Sequence, residues 1–155
     1  MHTIFDVAQW FLAKESMTQK KLQILCYYAQ AWYFTLCYNG PLFRNEFQAW
    51  VYGPTCPELH EKYSSYAFFI PIPQCADNGA SFSAKELDML EAVWNTYGPL
   101  SEDELEMLVH REDPWIAARG DAKPWKTCKN VISLESMKEY YWWMWARANL
   151  DVCGI

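Results

Sequence analysis

The stretch from residue 22 to residue 43 contains no Asp, Glu, Lys or Arg, and it limits the fold of this chain more than any other feature. Its apolar residues recur at intervals of three and four, which is the spacing of one face of an α-helix. The residues of that face are Leu22, Leu25, Cys26, Ala29, Trp32, Tyr33 and Leu36. The opposite face, which includes Ile24, Tyr28, Ala31 and Thr35, is also uncharged, so we predict a central helix with protein on most of its circumference.

The limits of this helix are marked by Thr18, which can cap it, and by Asn39-Gly40-Pro41, which should end it. A charge-free segment of this length also raises the possibility of a membrane span. Several residues of the segment oppose that interpretation: Gln23, Gln30, four tyrosines and the Gly40-Pro41 break. The amides among them are unfavourable because hydrocarbon offers them no hydrogen-bond partners. We therefore expect a core helix and no membrane partner.

Cap residues and first-turn prolines mark the starts of the other predicted helices. Several show a Ser or Thr followed three residues later by an acid, the pattern of a capping box. The start signals are Thr3 with Asp6, Pro57, Ser83 with Glu86, Ser101 with Glu104, Asp113 before Pro114, and Ser133. Together with the central helix they predict a mainly α fold.

An extended segment interrupts the helices around residues 42–53. Phe47, Ala49 and Val51 alternate there with Gln48, Trp50 and Tyr52, which is the period of a strand. Gly53-Pro54 should end this segment. Because one short strand cannot form a sheet, we predict a small element of two or three strands at most.

Residues 67–82 read as an irregular loop. Ile70-Pro71-Ile72-Pro73 is too rich in proline for a helix, and Asp77-Asn78-Gly79 predicts a turn.

A chain of 155 residues favours one domain and can bury a core without disulfides. We therefore expect a single compact helical domain over residues 1–155.

Charge, cysteine content and the first residues limit the expected partners and compartment of the protein. The net charge is −6 and no basic run of five or more residues occurs, which opposes a nucleic-acid partner. The six cysteines form no C-x-x-C pair, so we expect them to be reduced and mostly structural. The opening residues, MHTIFDVAQW, lack the features of a secretory signal, and we expect a cytoplasmic protein.

Catalytic patterns are weak. The three histidines are far apart in sequence, without the spacing of a zinc site, and no glycine-rich phosphate loop is present, so neither a metal nor another cofactor is expected. Glu58 and His60 could in principle form an acid–base pair, but no nucleophile turn accompanies them. A solvated helix face is the simpler interpretation of these two residues, and no enzyme activity is expected.

Aromatic residues remain as the candidate site. Nine Trp and ten Tyr are far above ordinary usage, and several cluster in the central helix and the extended segment. Core packing and a recognition surface are both compatible with this cluster. Strand alternation should expose Trp50 and Tyr52, and we predict that they bind a protein partner together with Tyr28 and Trp32. If they do not, the loop at 67–82 and Trp142 and Trp143 are the next candidates.

Three consecutive motifs, KLQILCYYAQAWY, GPLF and EFQAWVYGPTCPELHEKY, resemble in order and spacing the SocA-like, or Panacea, family of bacterial and phage antitoxin domains. The resemblance continues through LDMLEAVWNTYGPLSEDELEMLVHREDPWIAAR and covers nearly the whole chain. Thr55-Cys56 stands where the family more often has small β-branched residues, a departure that concerns packing.

The resemblance implies a mainly helical domain that neutralises a cognate toxin protein by direct binding. It also implies possible delivery of the toxin to the ClpXP protease, as the founding member does. Two alternatives stay open: a phage-associated protein that binds a host factor, and a small enzyme that uses Glu58 and His60. The identity and the target of the toxin do not follow from the resemblance.

Overall fold

The structure is a computed structural model that describes residues 1–37, 40–77 and 79–152. Within these residues the chain forms seven helices and three short strands. The helices are α1 (Ile4–Lys14), α2 (Gln19–Leu36), α3 (Pro57–Lys62), α4 (Ala84–Tyr97), α5 (Glu102–Val109), α6 (Asp113–Arg119) and α7 (Leu134–Val152). The strands are β1 (Phe47–Trp50), β2 (Gly53–Thr55) and β3 (Val131–Ile132). The predicted mainly α class with a small β element is confirmed.

Local capping determines where most helices begin. Helices α1, α4 and α5 each start with a reciprocal capping box, formed by Thr3 with Asp6, Ser83 with Glu86, and Ser101 with Glu104. Thr18 caps α2 by accepting a hydrogen bond from the backbone N–H of Lys21. These predicted starts are confirmed. They could be predicted from the sequence because each depends on a side chain and a backbone group only three residues apart.

Two predicted helix limits are wrong by small margins. The N-cap of α6 is Glu112 and not Asp113, which is the first residue of that helix. Helix α2 ends at Leu36, before the predicted stop at Asn39-Gly40-Pro41. Gly40 has a positive φ of 88°, as a turn glycine can, whereas Asn39 lies outside the described residues.

Helix α2 is the central element, as predicted. It packs against α1, α4, α5, α7 and strand β2. Leu22, Leu25 and Ala29 on one face and Tyr28 on the other are all fully buried. Trp32 and Leu36 are the partial exceptions on the predicted face, since their side chains are only half-buried.

The sheet is antiparallel with the order β2-β1-β3. Ala49 pairs with Pro54 in the β1–β2 hairpin, and Phe47 pairs with Ile132 of β3. The expectation that Gly53-Pro54 ends the extended segment is wrong, because these residues begin β2 after a tight turn in which Gly53 has a φ of 132°. Strand β3 was not predicted; it is only two residues long and lies far along the chain from its partner.

The loop at 67–82 is irregular, as expected, but it is tied to the helices. Met17 and Ile72 exchange two backbone hydrogen bonds of 3.3 and 2.7 Å. In the predicted turn, the N–H of Gly79 donates to Oδ1 of Asp77 at 3.0 Å, whereas Asn78 lies outside the described residues. The start of the loop is thereby held beside α1 and α2.

The cysteines in the described part of the chain are all free thiols. Cys26, Cys37, Cys56 and Cys128 are buried, and Cys75 is half-buried. Cys153 lies outside the described residues. None of the helices in the described ranges combines the length and apolar character that a bilayer span requires.

Candidate partner-binding site

The β1–β2 hairpin presents Trp50 and Tyr52 at one edge of the fold. Burial alternates along β1, with Phe47 and Ala49 buried and Gln48 and Trp50 half-buried. Tyr52 follows in the turn and is 47% exposed. Both predicted aromatic residues are therefore partly exposed, Trp50 through the strand period and Tyr52 through its place in the turn.

Tyr52 forms an exposed aromatic patch with two residues of the 67–82 loop, Phe68 and Phe69. The ring centroids of Tyr52 and Phe68 are 5.0 Å apart, and those of Tyr52 and Phe69 are 6.4 Å apart. Phe69 is 62% exposed. Phe68 and Phe69 pack edge to face at 5.4 Å. We refer to Tyr52, Phe68 and Phe69 as the aromatic patch.

A buried lysine contacts the Tyr52 ring of the patch. Lys20 is only 4% exposed, and its Nζ lies 5.6 Å from the centre of the Tyr52 ring. The same Nζ is 2.6 Å from Oε1 of Glu106 and 3.0 Å from Oδ1 of Asp103. Burial alone would lower the pKa of Lys20, but hydrogen bonds to these two carboxylates raise it. The ammonium group therefore stays charged and holds the Tyr52 ring by a cation–π contact.

Trp50 is fixed in place by its neighbours. Its indole N–H donates to Oε1 of Gln48 at 2.8 Å, and its carbonyl accepts a hydrogen bond from the Trp115 indole at 2.9 Å. Its ring packs edge-on against His60, with centroids 5.0 Å apart. Trp50 thus joins the hairpin to α3 and α6, which gives it a structural role in addition to its exposed edge.

Trp32 lies in a different place from the patch. Its indole N–H donates to the hydroxyl of Tyr97 at 2.8 Å, and its ring lines an apolar groove of about 210 Å³ between α2, α4 and Trp145 of α7. Along α2, Trp32 is about 18 Å from Lys20, which lies under the patch. The predicted site residues therefore do not form one surface.

Tyr28 is fully buried, which leaves no surface for a partner to contact. Its ring stacks on Tyr97 at 3.9 Å, and its hydroxyl donates to Oε1 of Glu112 at 2.7 Å. Tyr141 of α7 donates to the same oxygen at 2.8 Å. The proposed contact surface therefore omits Tyr28, which belongs to a buried polar network between α2, α6 and α7.

Burial is the main cause of the shifted pKa values in this network. It raises the pKa of Glu112 to about 7, although the two tyrosine hydroxyls act in the opposite direction. Burial, followed by the charge of Glu112, also raises the pKa of Tyr28. The network has no opening to solvent at Glu112, which is 2% exposed, so it stabilises the fold and does not present a reactive group.

The geometry does not bring Glu58 and His60 together as an acid–base pair. Glu58 is exposed and accepts a hydrogen bond from the thiol of Cys56 at 3.1 Å, while Nδ1 of His60 contacts Oε1 of Gln19. No hydrogen bond joins Glu58 to His60 among the described residues. Burial raises the pKa of the Cys56 thiol to about 12, which makes it a poor nucleophile.

Other exposed aromatic residues lie on α7. Trp142 is 41% exposed and Trp143 is 52% exposed.

Phe68 and Phe69 were not predicted individually, although their loop was named as a second candidate. The run Ala67-Phe68-Phe69-Ile70 was the available signal, because consecutive apolar residues in a loop are either buried by a distant element or exposed for a partner.

Comparison with protein families matches residues 22–116 to the domain described as Antitoxin SocA-like, Panacea domain. The matched region is more than half of the chain and includes most of α2, the β1–β2 hairpin and the whole aromatic patch. Helix α7 lies beyond it. Comparisons with curated proteins and with solved structures gave no match.

Proposed function

The chain belongs to the SocA-like Panacea antitoxin domain family, and from this membership we propose that it neutralises a toxin protein by binding it directly. The family supports an antitoxin-like role in general, and the exposed aromatic patch inside the matched region supports the finer proposal. Aromatic side chains such as Tyr are among the residues that contribute most of the binding energy at protein interfaces, so an exposed aromatic patch is a candidate contact surface.

We assign the toxin contact to Tyr52 and Phe69, the two most exposed rings of the patch. Tyr52 is held by Lys20 and Phe68, so little side-chain freedom would be lost when a partner covers it. Trp50 borders this surface but also braces the hairpin. Trp32 would contribute only if the partner also reached the separate groove at α4 and α7.

Co-expression tests this function. The product of the adjacent reading frame should arrest growth when it is produced alone in the cytoplasm, and this protein should restore growth and co-purify with it. Growth arrest that persists despite a well-expressed and folded protein would contradict the proposal. A non-toxic neighbour combined with stable capture of a host protein would favour the alternative, a phage-associated protein that binds a host factor.

Delivery of the toxin to ClpXP is a separable part of the proposal. If the protein acts as an adaptor, the half-life of the toxin should shorten when this protein is present, and only in cells that contain ClpXP. An unchanged half-life together with full rescue of growth would identify a simple inhibitor.

A catalytic role for Glu58 and His60 is the alternative of another class. Because no hydrogen bond joins these side chains in the described structure, we expect Glu58→Ala and His60→Ala to retain rescue of growth to within a few fold. Growth assays with each variant, together with a thermal melt, check this. Complete loss of activity in both variants, with folding intact, would support an enzyme.

A further inference from the structure

A second open groove lies between the start of α6 and the middle of α7, and neither Lys20 nor a residue of the patch lines it. Its volume is about 400 Å³. Pro114 and the rings of Tyr140 and Trp143 form its apolar walls, and Asp113 and Glu139 contribute carboxylates. The groove therefore combines flat aromatic surfaces with negative charge.

The aromatic walls are suited to a cation. The ring centroids of Tyr140 and Trp143 lie 6.2 Å apart at an interplanar angle of 36°, and Trp143 is 52% exposed. The guanidinium carbon of Arg147 already lies 4.7 Å from the centre of the Trp143 ring. Because Arg147 does not line the groove, the groove-facing part of the indole remains accessible. Indole rings bind guanidinium groups through their π faces.

The two carboxylates are available for a ligand. Asp113 and Glu139 are both exposed, and neither has an ion-pair partner in the described part of the chain. The charge of Asp113 also reaches the aromatic wall, because burial, followed by the charges of Glu112 and Asp113, raises the pKa of Tyr140. The negative potential repels phosphates and anionic ligands and favours a cation.

We propose that this groove binds an arginine side chain from a basic segment of the partner protein, with the guanidinium against the groove wall that Tyr140 and Trp143 form and beside Asp113 and Glu139. A planar guanidinium both stacks on rings and pairs with carboxylates, whereas the ammonium of lysine is a point charge. The net charge of −6 favours approach of a basic partner. The inference rests on the proposed function, since the segment is taken to belong to the protein that the chain neutralises.

The probe for the groove is N-acetyl-arginine amide, with N-acetyl-citrulline amide as its neutral isostere. We expect the arginine compound to shift the Trp143 indole N–H resonance in a saturable titration with a millimolar Kd, and the citrulline compound to shift it much less. The double variant Asp113→Asn with Glu139→Gln should weaken binding about fivefold, because two exposed charge pairs are removed.

The matched control removes two exposed acids elsewhere, with Glu61→Gln and Asp88→Asn. It should bind the arginine compound within twofold of the unchanged protein, by order of magnitude. No saturable shift at Trp143, or equal weakening by the control, would overturn the groove proposal. If the groove binds the arginine compound but no neighbouring toxin exists, the proposed function is contradicted and the assignment of an arginine-binding groove is retained. If the toxin binds with full affinity to the Asp113/Glu139 variant, the groove is not the toxin contact.

Discussion

Glu112 is a buried carboxyl group whose protonation links the stability of the fold to pH. Its carboxyl group accepts hydrogen bonds from Tyr28 and Tyr141 and is 2% exposed. Burial raises its pKa from 4.5 to about 7, so the folded protein binds its proton more tightly than the unfolded chain does. This group's contribution to stability is therefore present at low pH and is lost as the pH rises through about 7.

We expect Glu112→Gln to remove this pH dependence while it keeps an acceptor oxygen for the tyrosines. The difference in unfolding free energy between unchanged protein and variant should change by about 3 kcal/mol between pH 4 and pH 8. Urea denaturation at a series of pH values measures it. His110 acts with the opposite sign, because burial lowers its pKa, but it is common to both proteins and cancels in the comparison. Parallel stability profiles for the two proteins would show that Glu112 is already ionised in the fold.

Cysteine reactivity gives a second test of burial at the residue scale. Cys26 is fully buried, and burial raises its pKa well above the ordinary value of 9.0. Cys37 is 6% exposed, whereas Cys75 is half-buried in the loop. We expect a thiol reagent to label Cys75 in the native protein well before Cys26 and Cys37, as followed by peptide mass mapping. Labelling of Cys26 as fast as Cys75 would show that α2 is not the buried core helix.

Helix α2 is the element on which the fold depends. Ala29 on this helix is fully buried, and Ala92 on α4 is exposed. Ala29→Asp places a charge in the core, at a cost of several kcal/mol, by order of magnitude, whereas Ala92→Asp places the same charge in solvent. We expect the first variant to unfold or to melt far below the unchanged protein and the second to melt within a few degrees of it. Similar melting curves for the two variants would contradict the central position of α2.

Elements with local signals could be predicted from the sequence, and those that depend on distant partners could not. The capping boxes at Ser83 and Ser101 require only residues three apart, so their helices were predicted with correct starts. Strand β3 exists because Ile132 pairs with Phe47, and no pattern in two residues reveals such pairing. The cap at Glu112 was missed for a related reason, since this acid is held by tyrosines of two other helices.

At the scale of the whole molecule, part of the candidate site followed from sequence periodicity. The period-two pattern over residues 47–52 predicted exposure of Tyr52, which is 47% exposed although it lies in the turn after β1. It could not show that Phe68 and Phe69 lie against Tyr52, because that contact depends on how the 67–82 loop is anchored to Met17. Tyr28 has the same residue type as Tyr52, but Tyr97 of α4, Glu112 and Tyr141 of α7 pack around it and bury it.

The central claim is that the aromatic patch binds the partner protein. The double variant Tyr52→Ala with Phe69→Ala removes its two most exposed rings, and Trp125→Ala removes a 70% exposed ring outside the matched family region. A binding titration and a thermal melt on the same preparations compare them. Truncation of aromatic residues at the centre of an interface costs about 2 kcal/mol or more, which is about a 30-fold increase in Kd.

We expect at least that loss of affinity for the double variant, affinity within about twofold for Trp125→Ala, and melting temperatures within about 3 °C of the unchanged protein for both. Unchanged affinity in a fully folded Tyr52→Ala, Phe69→Ala protein would contradict the assignment of the partner-binding site to the aromatic patch.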